Sequence, residues 1–169
     1  MIRDRSLIKV RSAKASDGET VARVFKDAWR NAYTGIIPAL HLERMIRRRD
    51  AAWWRQAIKS ESCLLVLEVS GAVAGYATCG AARSGAASSG EIFEIYIAPT
   101  YQGIGLGEHL FEACRHHLDQ RGLRNLVVWA LADNTTAGAF YWGRGGRPSL
   151  KTKERFGLTE LTKIGYEFA

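Results

Sequence analysis

Residues 91–107 carry the sequence EIFEIYIAPTYQGIGLG. Its first seven residues are rich in apolar and β-branched side chains and predict a strand, which Pro99 ends because proline cannot donate to a strand ladder. Three glycines at every second position follow, and then come apolar residues at helical spacing: Leu106, Leu110, Phe111, Cys114 and Leu118. Glycines at the start of a helix let backbone N–H groups approach an anion, which the helix dipole also attracts. The stretch therefore predicts a strand, an anion-binding loop and a helix in succession.

The loop fits neither of two common nucleotide-binding patterns. The dinucleotide fingerprint G-x-G-x-x-G needs a third glycine where Glu108 or Leu110 stands, and G-x-x-x-x-G-K-[ST] occurs nowhere in the chain. On position alone, a tight turn without a ligand remains an alternative.

The order of predicted elements around this stretch indicates the fold class. A capping box at Ser16 and Glu19 predicts a helix that ends at Gly35, and Ser70-Gly71 predicts a hairpin turn. The other predicted elements are a strand 7–11, helices from Pro38 and over 51–59, strands 63–69, 72–79 and 124–131, a loop 80–90 expected to be mobile, a helix 135–142 and one strand from 158 to 168. A hairpin combined with a strand–helix–strand crossover predicts an α/β fold of the α+β type, with a single mixed, mostly antiparallel sheet flanked by helices.

Composition narrows the class of protein and of partner. The 169 residues carry a net charge of +7 with 24% charged residues, which is ordinary for one folded domain over 1–169 but favours an acidic or phosphate-bearing partner. The sequence lacks RNA-reading aromatic motifs and zinc spacings, which argues against nucleic acid. There is no signal-peptide pattern at the start and no apolar stretch of about 18 residues, so we expect no membrane span. Three irregularly spaced cysteines favour reduced thiols and a cytoplasmic location.

Two segments together resemble a known family. Residues 102–107 resemble the Q/R-x-x-G-x-G/A signature of the GNAT superfamily of N-acetyltransferases, and residues 134–141 resemble its N-x-x-A-x-x-F-Y segment. The resemblance is close over 91–146 and weaker over 28–38, which is similar to the acceptor side of some bacterial members. It implies a GNAT-like fold, acetyl-CoA as co-substrate without a metal, direct acetyl transfer to a primary amine on a small molecule or peptide, and a homodimer. The alternative is a non-catalytic acyl-CoA-binding or regulatory module on the same fold.

The resemblance also implies which residues hold the cofactor. The backbone amides of Gln102, Gly103, Ile104, Gly105, Leu106 and Gly107 would bind the pyrophosphate. The backbone of Ile95 to Ile97 would pair with the pantetheine arm, and an N–H near Ile97 would polarise the thioester carbonyl. Asn134 would hydrogen-bond the pantetheine, although asparagine also suits the N-cap of a helix.

The same resemblance implies a catalytic pair. Tyr141 would protonate the leaving thiolate, since a phenol keeps its proton at neutral pH. Glu91 is the first candidate for general base, with Glu94 or water as alternatives; strict alternation would put the two glutamates on opposite faces. Gly143 and Gly146 depart from the family pattern and predict an early end to the helix of Tyr141.

The acceptor side is less determined by the sequence. Trp29, Tyr33 and Trp129 are candidates for the acceptor pocket, although aromatic residues at helical spacing also suit a core. Arg44 to Arg49 suit a solvated face, with an acidic acceptor or RNA as the alternative ligand.

Overall fold

Two apolar strands joined by a tight turn lie near the centre of the sheet. The structure is a computed structural model and describes residues 7–60, 63–83 and 89–169. β2 (Leu64–Val69) and β3 (Ala72–Ala81) pair antiparallel. Between them Ser70 and Gly71 have φ values of 51° and 84°, so both adopt the left-handed conformation that a two-residue hairpin favours. The predicted hairpin is therefore confirmed.

Seven strands form one sheet in the order β1-β2-β3-β4-β5-β7-β6. The remaining strands are β1 (Ile8–Ser12), β4 (Ser89–Ile97), β5 (Asn125–Leu131), β6 (Arg147–Phe156) and β7 (Thr159–Phe168). β4 and β5 pair parallel, whereas the other neighbours pair antiparallel. This confirms the mixed, mostly antiparallel sheet that the element order predicts.

Five helices cover the two faces of this sheet. They are α1 (Gly18–Tyr33), α2 (Ala39–Arg48), α3 (Ala51–Ser60), α4 (Leu106–Gln120) and α5 (Thr135–Gly143). Phe25, Trp54 and Tyr76 belong to the core under α1 to α3, while Leu110 and Phe111 belong to the core under α4. No helix in the described ranges is long and apolar enough to cross a membrane.

The chain enters α1 differently from the predicted capping box. Residues Ala15–Asp17 form a short 3₁₀ turn, and α1 begins at Gly18 rather than behind Ser16. The Asp17 carboxylate accepts a hydrogen bond from the Lys14 N–H at 2.7 Å. It also accepts one from each terminal nitrogen of the Arg11 guanidinium, at 2.7 and 2.9 Å. An arginine fork on β1 makes Asp17, and not Ser16, the better partner at this corner.

Two other expectations need correction. The tail forms two strands, because the exposed edge strand β6 precedes β7; its side chains are almost all solvent-exposed, so no apolar alternation marks it in the sequence. The helix of Tyr141 does not end early, because α5 runs to Gly143 and closes with Gly145 N–H on Trp142 O and Gly146 N–H on Tyr141 O. Within the predicted mobile loop 80–90, residues 84–88 lie outside the described residues.

Replacing Asp17 with asparagine tests the corner at the start of α1. The Arg11 guanidinium lowers the pKa of Asp17, so its stabilising effect is complete above the unfolded-state pKa of about 3.9 and disappears as the pH falls through the lower folded-state pKa. We expect Asp17→Asn to lower the free energy of unfolding by about 2 kcal/mol at pH 7. This difference in stability from wild type should shrink as the pH falls below about 4. Urea unfolding across pH 3–7 measures it.

The exposed Glu160 on β7 offers a matched control, since Glu160→Gln removes a carboxylate from the surface. A difference between wild type and Asp17→Asn that stays constant across this pH range would contradict the assigned role of Asp17.

Candidate functional site

β4 and β5, which are neighbours in the middle of the sheet, pair along only part of their length. They pair only over Ser89–Ile92 and Asn125–Val128, yet β4 continues to Ile97 and β5 to Leu131. The Ala98 N–H donates to Ala74 O on β3, so alternation turns the peptide groups of Ile95 and Ile97 away from β3 and into the gap. The gap thus presents strand backbone that a ligand can pair with.

An irregularity in β4 lies directly at the point of parting. Thr78 stands opposite Glu94 and Cys79 opposite Ile92, so Phe93 is an extra residue in β4. Such a bulge reverses the alternation of side chains beyond it. Since Gly80 stands opposite Glu91, both glutamates oppose residues two apart on β3 and share one face. The expectation that Glu91 and Glu94 lie on opposite faces was therefore wrong.

The two glutamates differ in what holds them. Glu91 is 1% exposed; its Oε2 accepts from the Arg83 guanidinium at 2.6 Å and its Oε1 from the Arg83 backbone N–H at 3.2 Å. Glu94 accepts from the Arg49 guanidinium at 2.7 Å and from the Tyr76 hydroxyl at 3.1 Å, both through Oε1. The side chain of Glu94 is 16% exposed, so its other oxygen is the better placed to meet a ligand.

Arg49 lies in the candidate site, and sequence reasoning did not single it out. Arg44, Arg47 and Arg48 are exposed, as expected of a solvated face. The Arg49 guanidinium instead lies within 4.6–5.7 Å of four ring centroids, those of Phe25, Trp29, Trp53 and Trp54. Arg49 was not singled out from the sequence because it ends a run of three arginines. The Trp53-Trp54 pair a few residues later was the signal that could have indicated an aromatic setting for it.

A cleft of about 300 Å³ opens beside these residues, between α3 and the face of β4 that carries both glutamates. We call it the α3–β4 cleft; it is lined by Arg49, Trp53, Trp54, Ala57, Leu64, Thr78, Arg83, Phe93 and Glu94. A larger groove of about 530 Å³ lies between α1 and α2, but charged helix side chains dominate its lining and it includes no sheet residue. Within the described ranges, no three His, Cys, Asp or Glu side chains come together as metal ligands would.

Two of the three predicted pocket aromatics meet near the cleft. The Trp29 ring lies 5.2 Å from that of Tyr33 and 5.9 Å from that of Tyr96, and the Tyr33 and Tyr96 hydroxyls are hydrogen-bonded. Burial raises the pKa of Tyr33, so its phenol keeps its proton. Trp129 instead packs on β7, where its ring lies beside Gly165 and Lys163. The structure therefore brings Trp29 and Tyr33 together and leaves Trp129 apart from them.

Tyr141 lies on α5 and belongs to the core under α4. The residue is buried, and its ring packs 5.5 Å from Phe140 and 5.6 Å from Tyr166. Burial raises the pKa of Tyr141, with the neighbouring Tyr33 as the next cause. A phenol held protonated in this way can donate a proton but cannot accept one at neutral pH.

The three glycines of the loop have different reasons to be glycine. Gly103 and Gly105 have φ values of 81° and 84°, and a Cβ added at either would meet no atom within 4 Å, so the loop is open above them. A Cβ on Gly107 would come within 3.0 Å of the Phe140 ring, so this glycine lets α4 pack on α5. Gly105 is the N-cap of α4, and as a glycine it has no side chain with which to cap the helix.

Gln102 and Asn134 frame the loop and the gap. The Gln102 side chain donates to Ile97 O at 2.9 Å and ties the loop to the end of β4. Asn134 is the N-cap of α5, and its Oδ1 accepts from the Ala137 N–H at 3.3 Å. Its NH₂ group is a separate donor, so capping and ligand binding are compatible.

Solved structures of known proteins share this fold. PaiA N-acetyltransferase from Thermoplasma acidophilum, in complex with coenzyme A, aligns with a TM-score of 0.75 and 18% identity over 92% of this chain and 97% of that one. YncA from Salmonella typhimurium, with its cofactor acetyl-CoA, aligns with a TM-score of 0.69 and 20% identity over 96% and 93% of the two chains. At these identities the likeness concerns the fold.

Sequence comparison identifies the family as well as the fold. The uncharacterised N-acetyltransferase YuaI of Bacillus subtilis is 29% identical over 130 residues, which cover 76% of this chain and 74% of YuaI. The family model of the acetyltransferase (GNAT) family matches residues 22–145, which include β4, the glycine loop and Tyr141. The resemblance drawn from the two motifs is thereby confirmed, and this chain belongs to the GNAT family of acetyltransferases.

Proposed function

We propose that this chain is an acetyl-CoA-dependent N-acetyltransferase that moves the acetyl group directly to a primary amine. The observation that carries the proposal is the parting of β4 from β5 between an open glycine loop and a carboxylate-lined cleft. One ligand can enter along the gap and another through the cleft, so that both reach the bulge at Phe93. Two reactants held in this way react far faster than free ones.

The residues present fit coenzyme A. Gly103 and Gly105 leave room over the loop, so the amides of 102–107 and the uncapped start of α4 can hold a pyrophosphate. The peptide groups of Ile95 and Ile97 face the gap and can pair with the pantetheine arm, with the NH₂ of Asn134 as a further donor. The complexes of PaiA and YncA with coenzyme A and acetyl-CoA support this assignment. Acetyl-CoA supplies the activated acetyl group.

The chain's own residues then move the protons. We assign the proton acceptor to Glu94 rather than Glu91, because both oxygens of Glu91 are engaged by Arg83 and its side chain is buried. Glu94 takes the proton from the amine as the N–C bond forms. As the C–S bond breaks, the Tyr141 hydroxyl gives its proton to the departing sulfur.

The surroundings of Glu94 assign the acceptor side. Trp29 and Tyr33 lie on the same side of the sheet as Glu94 and belong to our proposed acceptor wall. Trp129, which packs on β7, could reach only a longer acceptor. A small molecule or a peptide end is the expected acceptor; a single domain, a homodimer and a cytoplasmic location stay predictions.

Replacing Gly105 with alanine tests the loop. A left-handed backbone disfavours alanine, so we expect the loop to shift and the affinity for coenzyme A to fall about tenfold, as calorimetric titration would show. Gly122→Ala is a matched control, because Gly122 also has a positive φ of 74° and open space around it but lies beyond the far end of α4. Equal affinities for the two variants would argue against a coenzyme A loop.

Replacing the proposed acid and base tests the chemistry. We expect Tyr141→Phe and Glu94→Gln each to lower kcat by about 10²-fold or more, because each removes a proton transfer. The rate of thiol release from acetyl-CoA across a panel of amines measures kcat for each variant. Circular dichroism checks that the variants are folded like the wild type.

Glu91→Gln separates the two glutamates. We expect it to lower stability, since it unpairs Arg83, while lowering kcat less than Glu94→Gln. A larger loss of kcat in Glu91→Gln would return the base to Glu91. Coenzyme A binding without turnover of any amine would instead support the non-catalytic module.

A further inference from the structure

The charges of the α3–β4 cleft cancel one another. Arg49 is paired with Glu94 at 2.7 Å, and Arg83 is paired with Glu91 at 2.6 Å. Among the described residues that line this cleft, no uncompensated negative charge is left to attract an acceptor with several positive charges, and the whole chain carries a net charge of +7. A polyamine or other polycationic acceptor would be repelled on approach.

The cleft instead holds hydrogen-bond donors with capacity to spare. The Arg83 side chain is 66% exposed and commits one terminal nitrogen to Glu91, whereas a guanidinium has five N–H donors. Trp54 is buried in the cleft wall, and its Nε1, which is closed off from solvent, has no hydrogen-bond partner among the described residues. The donors that a ligand in the cleft can reach are therefore the remaining N–H groups of Arg83, which suit a ligand that brings acceptor oxygens.

Apart from Thr78, the rest of the lining is apolar, and the cleft is small. Trp53, Ala57, Leu64 and Phe93 supply apolar surface, and the volume of about 300 Å³ is at the lower end of small-molecule sites. Such a cleft suits one apolar side chain rather than an extended polymer.

We propose that the acceptor is a free amino acid with an apolar side chain, bound in the α3–β4 cleft with its amino group at Glu94 and its carboxylate at Arg83. The inference rests on the proposed acetyl transfer and specifies its acceptor. Arg83 is the specificity-determining residue, because an arginine fork matches a carboxylate and remains charged at every physiological pH. The apolar lining takes the side chain of the amino acid.

Matched pairs of acceptors test the proposal. Thiol release from acetyl-CoA is measured with phenylalanine against phenethylamine and with tryptophan against tryptamine, where each pair differs only by the carboxylate. We expect kcat/KM to favour the amino acid by about tenfold or more, mainly through KM, because a charged hydrogen-bonded pair is lost in the amine.

Variants of Arg83 show whether this residue supplies the preference. Arg83→Gln leaves the buried Glu91 unpaired and can unfold, so the double variant Arg83→Gln with Glu91→Gln removes the pair together. We expect the ratio of kcat/KM for the amino acid to kcat/KM for the matched amine to fall toward one in the single and the double variant of Arg83. The ratio should stay high in Glu91→Gln and in Arg48→Gln, which removes an exposed arginine of α2. Calorimetric titration of phenylalanine into the coenzyme A-loaded protein should show the same order of affinities.

The outcomes separate the acceptor from the reaction. If amines without a carboxylate react as well as amino acids, the amino-acid assignment is overturned while acetyl transfer stands. If the double variant keeps the preference, the binding of the carboxylate at Arg83 is overturned. If no amine consumes acetyl-CoA, the proposed function fails, and the calorimetric comparison of wild type with the double variant still decides whether Arg83 binds a carboxylate.

Discussion

The parting of β4 from β5 after Ile92 and Val128 is the constraint on which the site depends. A parallel pair of strands normally satisfies its peptide groups along its whole length, but here four pairs form and the strands then diverge. The peptide groups of Ile95 and Ile97 that face the gap have no β5 partner, although Gln102 donates to Ile97 O, and an extended ligand can pair with them. The Phe93 bulge beside this point turns Glu94 to the same face as Glu91. One backbone irregularity thus lies beside both the gap that we assign to the donor and the cleft that we assign to the acceptor.

Arginines decide how the two glutamates behave. A fully buried carboxylate is costly unless a cation and hydrogen bonds compensate it, and Arg83 supplies both a guanidinium and a backbone N–H to Glu91. Glu94 is only partly covered, and the aromatic rings around Arg49 hold that guanidinium in place. The same residue type on the same strand is therefore structural in one position and available for chemistry in the other.

The fold was largely predictable from local patterns. Apolar runs bounded by turn residues predicted the hairpin, β4 and β5, and helical periodicity predicted α1 and α4, because these elements bury one face. β6 escaped prediction because an exposed edge strand needs no apolar alternation. The start of α1 was misplaced because Asp17 pairs with Arg11 on β1, six residues earlier, and the spacing of a capping box does not encode a contact with a preceding strand.

By itself, the sequence determined the cofactor side, because its requirements are local. The glycine loop with Gly103 and Gly105 and the motif around Tyr141 are short segments, and both indicate the same family. Only the tertiary structure brought together the residues of the proposed acceptor side. Its lining comes from four elements: Arg49 follows α2, Trp54 lies on α3, Arg83 follows β3 and Glu94 lies on β4. These residues meet because a one-residue bulge and the packing of α3 place them together. No spacing along the chain encodes such a meeting, since each contact depends on the positions of several elements at once.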